Sequence, residues 1–245
     1  MRISADLHIH TTLSTCGSLD MSPSAIIKRV KELSLDVIAI TDHNSVENGF
    51  YVAEIGEKEG IKVIYGMEAQ TIEEVHLLCY FDNGKDIERF YSDIYDYLPD
   101  FKNDPEYFGD QVVVDSKNNI IREEEKLLLN SLNLNVEELF EKVKYYNGFL
   151  IPAHIEREQF GLLVNLGFIP ESLKSSVLEI SYKAELKEIF TFYPFLRKYS
   201  LISNSDAHYI EDIARAYTIY EVREKSIKEI YLAALKGDYK VIRRK

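Results

Sequence analysis

The 245 residues are 46% hydrophobic and carry a formal net charge of −12, enough apolar side chain for a sizeable core and too acidic a surface for a sequence-independent grip on DNA or RNA. Two cysteines, Cys16 and Cys79, make no disulfide framework, and Met1 to Asp6 does not read as the start of a secretion signal. Apolar runs such as Val37 to Ile40 stop far short of the roughly 20 residues that a membrane helix needs, so the expectation is a cytoplasmic, reduced protein.

Along the chain, short apolar runs bounded by Gly, Asp or Ser alternate with stretches of helical periodicity, the pattern of βα units around a mostly parallel sheet. The first strand candidate is Ile3 to His10. Ile26, Ile27, Val30 and Leu33 then recur at helical spacing behind Ser22, a candidate N-cap, and Pro23, which suits the first helical position. Further strands are expected at Asp36 to Thr41, Lys62 to Glu68 and His76 to Phe81. Residues 82–147 separate strands by more than one crossover helix requires and read as an insertion. It holds a helix around Ile87, Phe90, Tyr91 and Ile94, then a hairpin of Gln111 to Asp115 and Asn119 to Arg122. The acidic run Glu123 to Glu125 reads as a solvated face, and Val136, Leu139, Phe140 and Val143 form a second helix behind Asn135. Strands Gly148 to His154, Ser176 to Ser181 and Ser200 to Ser205 follow. A last helix carries Ile227, Ile230, Tyr231 and Leu235 between a Ser226–Glu229 capping box and Gly237. No repeat or flexible linker divides residues 1–245, which reads as one domain with an insertion.

All six histidines sit at or just beyond the C-terminal end of a strand candidate, except His76, which opens one. In α/β barrels those ends form the active-site face, where distant residues converge. Side chains two apart on a strand share a face, so His8 and His10 make a chelating pair while Leu7 and Ile9 turn to packing. Asp206 and His208 repeat that geometry after Leu201 and Ile202, His43 follows Val37 to Ile40, Glu68 follows Val63 to Tyr65, and His154 ends Phe149 to Ala153. Imidazoles with a few carboxylates suit zinc, manganese or iron better than calcium or magnesium. A catalytic zinc takes three or four protein ligands, so the inventory serves two or three ions, with Glu68 free to bridge a pair. The competing reading, buried core histidines, leaves a polar cluster at one sheet edge without compensation.

These residues resemble the PHP domain (polymerase and histidinol phosphatase) superfamily of metal-dependent phosphoesterases. His8-Ile9-His10 matches its first motif, Thr41-Asp42-His43 with Gly66-Met67-Glu68 the second, Pro152-Ala153-His154 the third and Ser205-Asp206-Ala207-His208 the fourth. His76 matches the ligand between the second and third. The resemblance implies an α/β fold, a distorted (β/α)7 TIM-like barrel from which the 82–147 insertion departs. It further implies one ion on His8, His10, Glu68 and Asp206, a second on Glu68, His76 and His154, and part of a third on His43 and His208. Where the family usually places Asp or His, this chain has Thr15 beside Cys16. Cys16 as a thiolate ligand, a water, or an absent third ion would each accommodate that change, and Cys16 can equally be a packed thiol.

A cluster of cations activates water at neutral pH and neutralises charge at phosphorus, so the expected reaction is direct phosphoester hydrolysis by a metal-bound hydroxide. Asp42, Glu68 and His208 form the expected catalytic set, with Asp42 orienting a ligand histidine. Arg157 and Arg215 stand where they would meet phosphate oxygens, and each can equally be a surface ion-pair residue. The acidic surface favours a small phosphorylated substrate, with nucleic acid entering only as substrate. A 5′–3′ exonuclease and a metal-dependent amidohydrolase are the alternatives, while a partner-binding module is disfavoured because the ligands are nearly all intact.

Overall fold

Along each short strand, alternate apolar residues divide between two cores, and that division decides what reaches the site. The structure, a computed structural model, describes residues 1–171, 173 and 177–244. Its strands are β1 (Arg2–Ile9), β2 (Val37–Ile40), β3 (Lys62–Gln70), β4 (His76–Phe81), β5 (Val112–Val114), β6 (Ile120–Glu123), β7 (Phe149–Pro152), β8 (Val177–Glu179), β9 (Ser200–Ile202), β10 (Ala216–Glu221) and β11 (Tyr239–Arg243). The helices are α1 (Pro23–Glu32), α2 (Glu47–Glu59), α3 (Gly84–Ile94), α4 (Pro105–Phe108), α5 (Val136–Tyr145), α6 (Leu162–Leu166), α7 (Leu186–Phe192) and α8 (Ile227–Lys236). Ser176, expected to open a strand, lies outside the described residues.

The main sheet runs β11–β10–β1–β2–β3–β4–β7, and β8 and β9 form a separate parallel pair. Backbone bonds carry the curl round into a barrel: Ile155 N–H donates to Glu179 O, Ala207 N–H to His8 O, and His10 N–H to Ala207 O. The expected mostly parallel sheet holds for β1–β2–β3 and for β8–β9. It fails at β4, which is antiparallel to both β3 and β7. The reason is local: Thr71 N–H donates to Val75 O across a turn too short for a parallel crossover. The antiparallel pair β10–β11 extends the β1 edge and was not anticipated from sequence.

Ile3, Ala5, Leu7, Val37, Ala39, Ile64, Leu78, Ile151 and Val177 fill the barrel interior, and Ile227, Ile230 and Ala234 of α8 belong to the same core. Ile9, Ile38, Ile40 and Val63 turn outward onto Ile26, Ile27 and Val30 of α1 and Val52 of α2. The expectation that Leu7 and Ile9 share a face is therefore corrected. A register irregularity between Asp6 and Ile9 breaks the alternation, so Leu7 stays inside while Ile9 goes out.

Within the insertion, Ile87, Phe90 and Ile94 of α3 and Leu139 and Val143 of α5 share one core with Phe81 and Leu150. Asn83 caps α3 by accepting Asp86 N–H, and Asn135 and Glu138 form a reciprocal box on α5. Two expected caps differ. Ser22 makes no side-chain cap bond, leaving Pro23 to open α1. Ser226 accepts Glu229 N–H, but the Glu229 carboxylate turns to Arg223 instead of completing a box. The expected hairpin is β5–β6, with β5 buried and β6 exposed. Among the described residues no helix is long and apolar enough to cross a membrane.

Candidate metal centre

Each candidate ligand reaches the same rim by a different local device. His8 sits at the β1 irregularity, Glu68 lies on β3, and His43, His154, Asp206 and His208 follow β2, β7 and β9. His76 opens β4, and because β4 runs antiparallel, its first residue lies opposite Gln70 at the end of β3. Two of these positions are strained: His154 has φ +25° and Asp206 has φ +50°, conformations that cost about 1–3 kcal/mol each and persist where the surroundings impose them.

The Glu68 carboxylate is the hub. Its Oε1 lies 2.9 Å from His76 Nδ1, 3.1 Å from His154 Nε2 and 3.3 Å from His8 Nε2. Its Oε2 lies 3.1 Å from His43 Nδ1 and 3.4 Å from His10 Nε2. Asp206 Oδ1 faces the same space, 3.4 Å from His8 Nε2 and 3.5 Å from both His10 Nε2 and His208 Nδ1. Among the described residues, three groups bring their ligand atoms within 4.8 Å of one another: His8, His10 and Glu68; His43, Glu68 and His76; and His10, His43 and His208.

The rings are aimed by bonds at their other nitrogens. His8 Nδ1–H donates to Glu179 Oε2 at 3.1 Å. His10 Nδ1–H donates to Ser14 Oγ at 3.0 Å, and Ser14 Oγ donates onward to Asp42 Oδ1 at 2.7 Å. His76 Nε2–H donates to Gln70 Oε1 at 3.0 Å, while Gln70 Nε2 donates to Ser131 Oγ of the insertion. Each such bond occupies one ring nitrogen and turns the other toward the centre. His8 Nε2 and His10 Nε2 are buried without a hydrogen-bond partner among the described residues. Orphaned imidazole nitrogens gathered around acceptor-only carboxylates fit divalent cations, which would compensate both.

The electrostatics agree. Burial would raise Glu68, but the positive charge favoured on His8 and the hydrogen bond with His154 hold it well below the usual carboxylate range. Burial pushes His10 down to about 3 and lowers His43 and His76, so these rings are neutral at pH 7, the form that binds metal. His8 is the exception. Burial opposes its charge, yet the Glu179, Glu68 and Asp206 carboxylates hold it well above the ordinary value.

The remaining expected residues divide. The buried Asp42 carboxylate accepts from Thr11 N–H, Thr11 Oγ1 and Ser14 Oγ and reaches the cluster through Ser14. Cys16 is exposed and belongs to none of the three groups. Although the residue reaches the surface, protein packed around its sulfur, with Glu68 and Asp206 nearby, pushes the thiol up to about 12. Arg157 Nη1 donates to Asp206 Oδ2 at 2.7 Å. Arg215 donates to the Ser205 and Asp206 carbonyls, pairs with Asp212 and lies 3.6 Å over the Tyr182 ring, clamping the loop that carries Asp206 and His208. Cys16, Arg157, Asp206, His208, Lys183 and Tyr209 line a cavity of about 310 Å3 beside the cluster. Sequence reasoning missed Glu179, Gln70 and Ser14. Of these, Glu179 carries a signal, since it ends the apolar Val177-Leu178 run just as the ligands end theirs.

Several known proteins share this architecture. The fold superposes on the lesion-specific endonuclease PfuEndoQ from Pyrococcus furiosus with a TM-score of 0.72 at 20% identity, over 98% of this chain and 58% of that one. It superposes on a two-domain protein from Bacteroides vulgatus, described as containing a predicted PHP-like metal-dependent phosphoesterase, with a TM-score of 0.62 at 15% identity, over 100% of this chain and 65% of that one. In sequence, 82 residues are 32% identical to a PolC-type DNA polymerase III from Oceanobacillus iheyensis, 34% of this chain and 6% of the polymerase. The chain thus spans only a small part of that polymerase and under two thirds of either structure. A PHP-associated segment matches at residues 196–239. Residues 6–160, more than half of the chain, match the PHP domain, and the chain belongs to that family.

Proposed function

We propose that the protein is a phosphoesterase that hydrolyses a small phosphate monoester or nucleotide phosphate at two or three divalent ions, zinc, manganese or iron. The observation that carries this reading is the single buried carboxylate of Glu68 contacted by His8, His10, His43, His76 and His154. His8, His10, Glu68 and Asp206 would hold one ion, Glu68, His76 and His154 a second, and His43 with His208 part of a third. Bound there, the ions supply an activated water at neutral pH and neutralise charge on phosphate.

The chain's own groups do the rest. Arg157 holds Asp206 through Oδ2, leaving Oδ1 turned to the cluster, and its remaining N–H groups, which meet no partner among the described residues, are placed to reach a phosphate oxygen at the rim. Arg215 fixes the Asp206 loop from behind. Asp42, through Ser14, keeps His10 Nε2 directed at the centre. A cavity of about 310 Å3 beside the ions suits a substrate of small-molecule size, and a net charge of −12 argues against a polymer.

Protein reconstituted with manganese or zinc is expected to release phosphate from p-nitrophenyl phosphate and from nucleoside monophosphates, and to lose that activity with chelator. Arg157→Ala is expected to raise KM about tenfold or more with kcat changed less, whereas an unchanged KM removes Arg157 from phosphate binding. The fold likeness to an endonuclease favours nucleic acid as the second reading. A labelled oligonucleotide degraded faster than the monoesters would replace the first reading with that one, and release of amine from amide substrates alone would replace both.

A further inference from the structure

Glu179 is 2% exposed, ends β8, and belongs to none of the recognised motifs. Its two carboxylate oxygens receive three donors. His8 Nδ1–H reaches Oε2 at 3.1 Å, the backbone N–H of His154 reaches Oε2 at 3.1 Å, and Asn204 Nδ2 reaches Oε1 at 2.9 Å. Asn204 in turn accepts Leu7 N–H through Oδ1 at 3.0 Å, on the residue just before His8. One carboxylate therefore joins the strand of His8, the strained residue His154 and the segment that leads into Asp206. His8 Nε2, on the opposite side of the ring, has no hydrogen-bond partner among the described residues and is directed at Glu68 and Asp206.

We infer that Glu179 is the positioning residue of the cluster: it selects Nε2 of His8 as the metal-binding atom and sets His8, His154 and Asp206 in common register. The inference rests on the metal reading above. Only a carboxylate satisfies the arrangement, because it has two acceptor oxygens and no donor. A glutamine offers one oxygen and an NH2 group, which must face the Asn204 amide, the His154 N–H or the His8 N–H. Where the NH2 faces His8, relief requires the ring to turn or its proton to move to Nε2, the atom that faces the ions; where it faces His154 or Asn204, the backbone beside His154 or the Asn204 bond to Leu7 N–H, next to His8, must give way. Hydrogen-bond partners of this kind typically govern metal affinity by 10–100-fold.

The test is metal binding rather than turnover. Wild-type protein and Glu179→Gln are titrated with zinc against a chromophoric chelator, with circular dichroism of the metal-free forms as the control for folding. The expected result is a loss of about 10–100-fold in affinity for the equivalents held by His8 and by His154, the one at His43 and His208 keeping its own, and partial recovery in Glu179→Asp, which retains both acceptors. Wild-type affinity in a folded Glu179→Gln overturns the inference. So does a uniform loss over every equivalent, which signifies general loosening. Should the variant not fold, 15N NMR of the zinc-loaded wild type decides: His8 bound through Nε2 with Nδ1 as N–H supports the inference, and binding through Nδ1 ends it. A wild type that takes up no zinc overturns the metal reading itself, a result separable from either of these.

Discussion

Among the histidines whose ionisation the site perturbs, His8 stands apart, held well above the ordinary value by carboxylates against the opposing effect of burial, while His10, His43 and His76 are lowered. Those carboxylates favour the protonated ring, so a cation that binds His8 Nε2 competes with a proton there. Metal affinity is accordingly expected to fall as pH is lowered, with proton release from His8 on binding. Calorimetry in two buffers of different ionisation enthalpy measures this, and equal apparent enthalpies would contradict it. Cys16 behaves oppositely. A thiol pushed up to about 12 stays protonated at neutral pH and lies outside the three ligand groups. Cys16→Ser is therefore expected to retain the wild-type metal content by elemental analysis, and loss of one equivalent would restore Cys16 as the ligand standing in for the residue that Thr15 replaces.

At the scale of elements, the ligands were legible because each follows an apolar run, so a sequence with distant His and Asp or Glu at strand ends already implies one face of a barrel. His76 looked exceptional only because the antiparallel course of β4 depends on the tight Thr71–Val75 turn. The irregularity in β1 was not legible, since Leu7 and Ile9 are both apolar and alternation gives no reason to separate them. Glu179 escaped because a single Glu after two apolar residues forms no motif, and its partners lie on three other segments. The loop after β7 carries Arg157 to the rim and closes tightly on Gly161, where an added Cβ would lie 2.3 Å from Arg157 O and 2.8 Å from Arg157 N. Backbone cannot yield as a flexible side chain does, so Gly161→Ala is expected to cost about 1–3 kcal/mol in chemical denaturation. It should also raise KM by displacing Arg157. Denaturation and kinetics both matching wild type would mean that the loop adapts freely.

The whole molecule meets at the cluster: β1, β3 and β4, and the segments after β2, β7 and β9, each send a polar side chain to a place that a barrel would otherwise fill with apolar residues. Beneath it Leu7, Ala39, Ile64 and Leu78 pack continuously, so the folded state does not depend on the ions for its core. Buried imidazoles and carboxylates without cations are nonetheless costly, and the strained backbone at His154 and Asp206 adds to that cost. Ions that bind the native arrangement and not the unfolded chain stabilise by RT ln(1 + [L]/Kd), about 4 kcal/mol at a thousandfold excess over Kd. For a domain of this size each kcal/mol moves Tm by about 2–4 °C. Removing metal with chelator is therefore expected to lower Tm by on the order of 10 °C, with zinc or manganese restoring it and magnesium restoring less, because imidazole ligands suit the transition ions. The apo protein should still unfold in one cooperative transition, as its continuous core requires. Identical Tm values with and without chelator in metal-loaded protein would mean that the histidine cluster stands without cations, and would remove the basis on which a hydrolytic role was assigned to it.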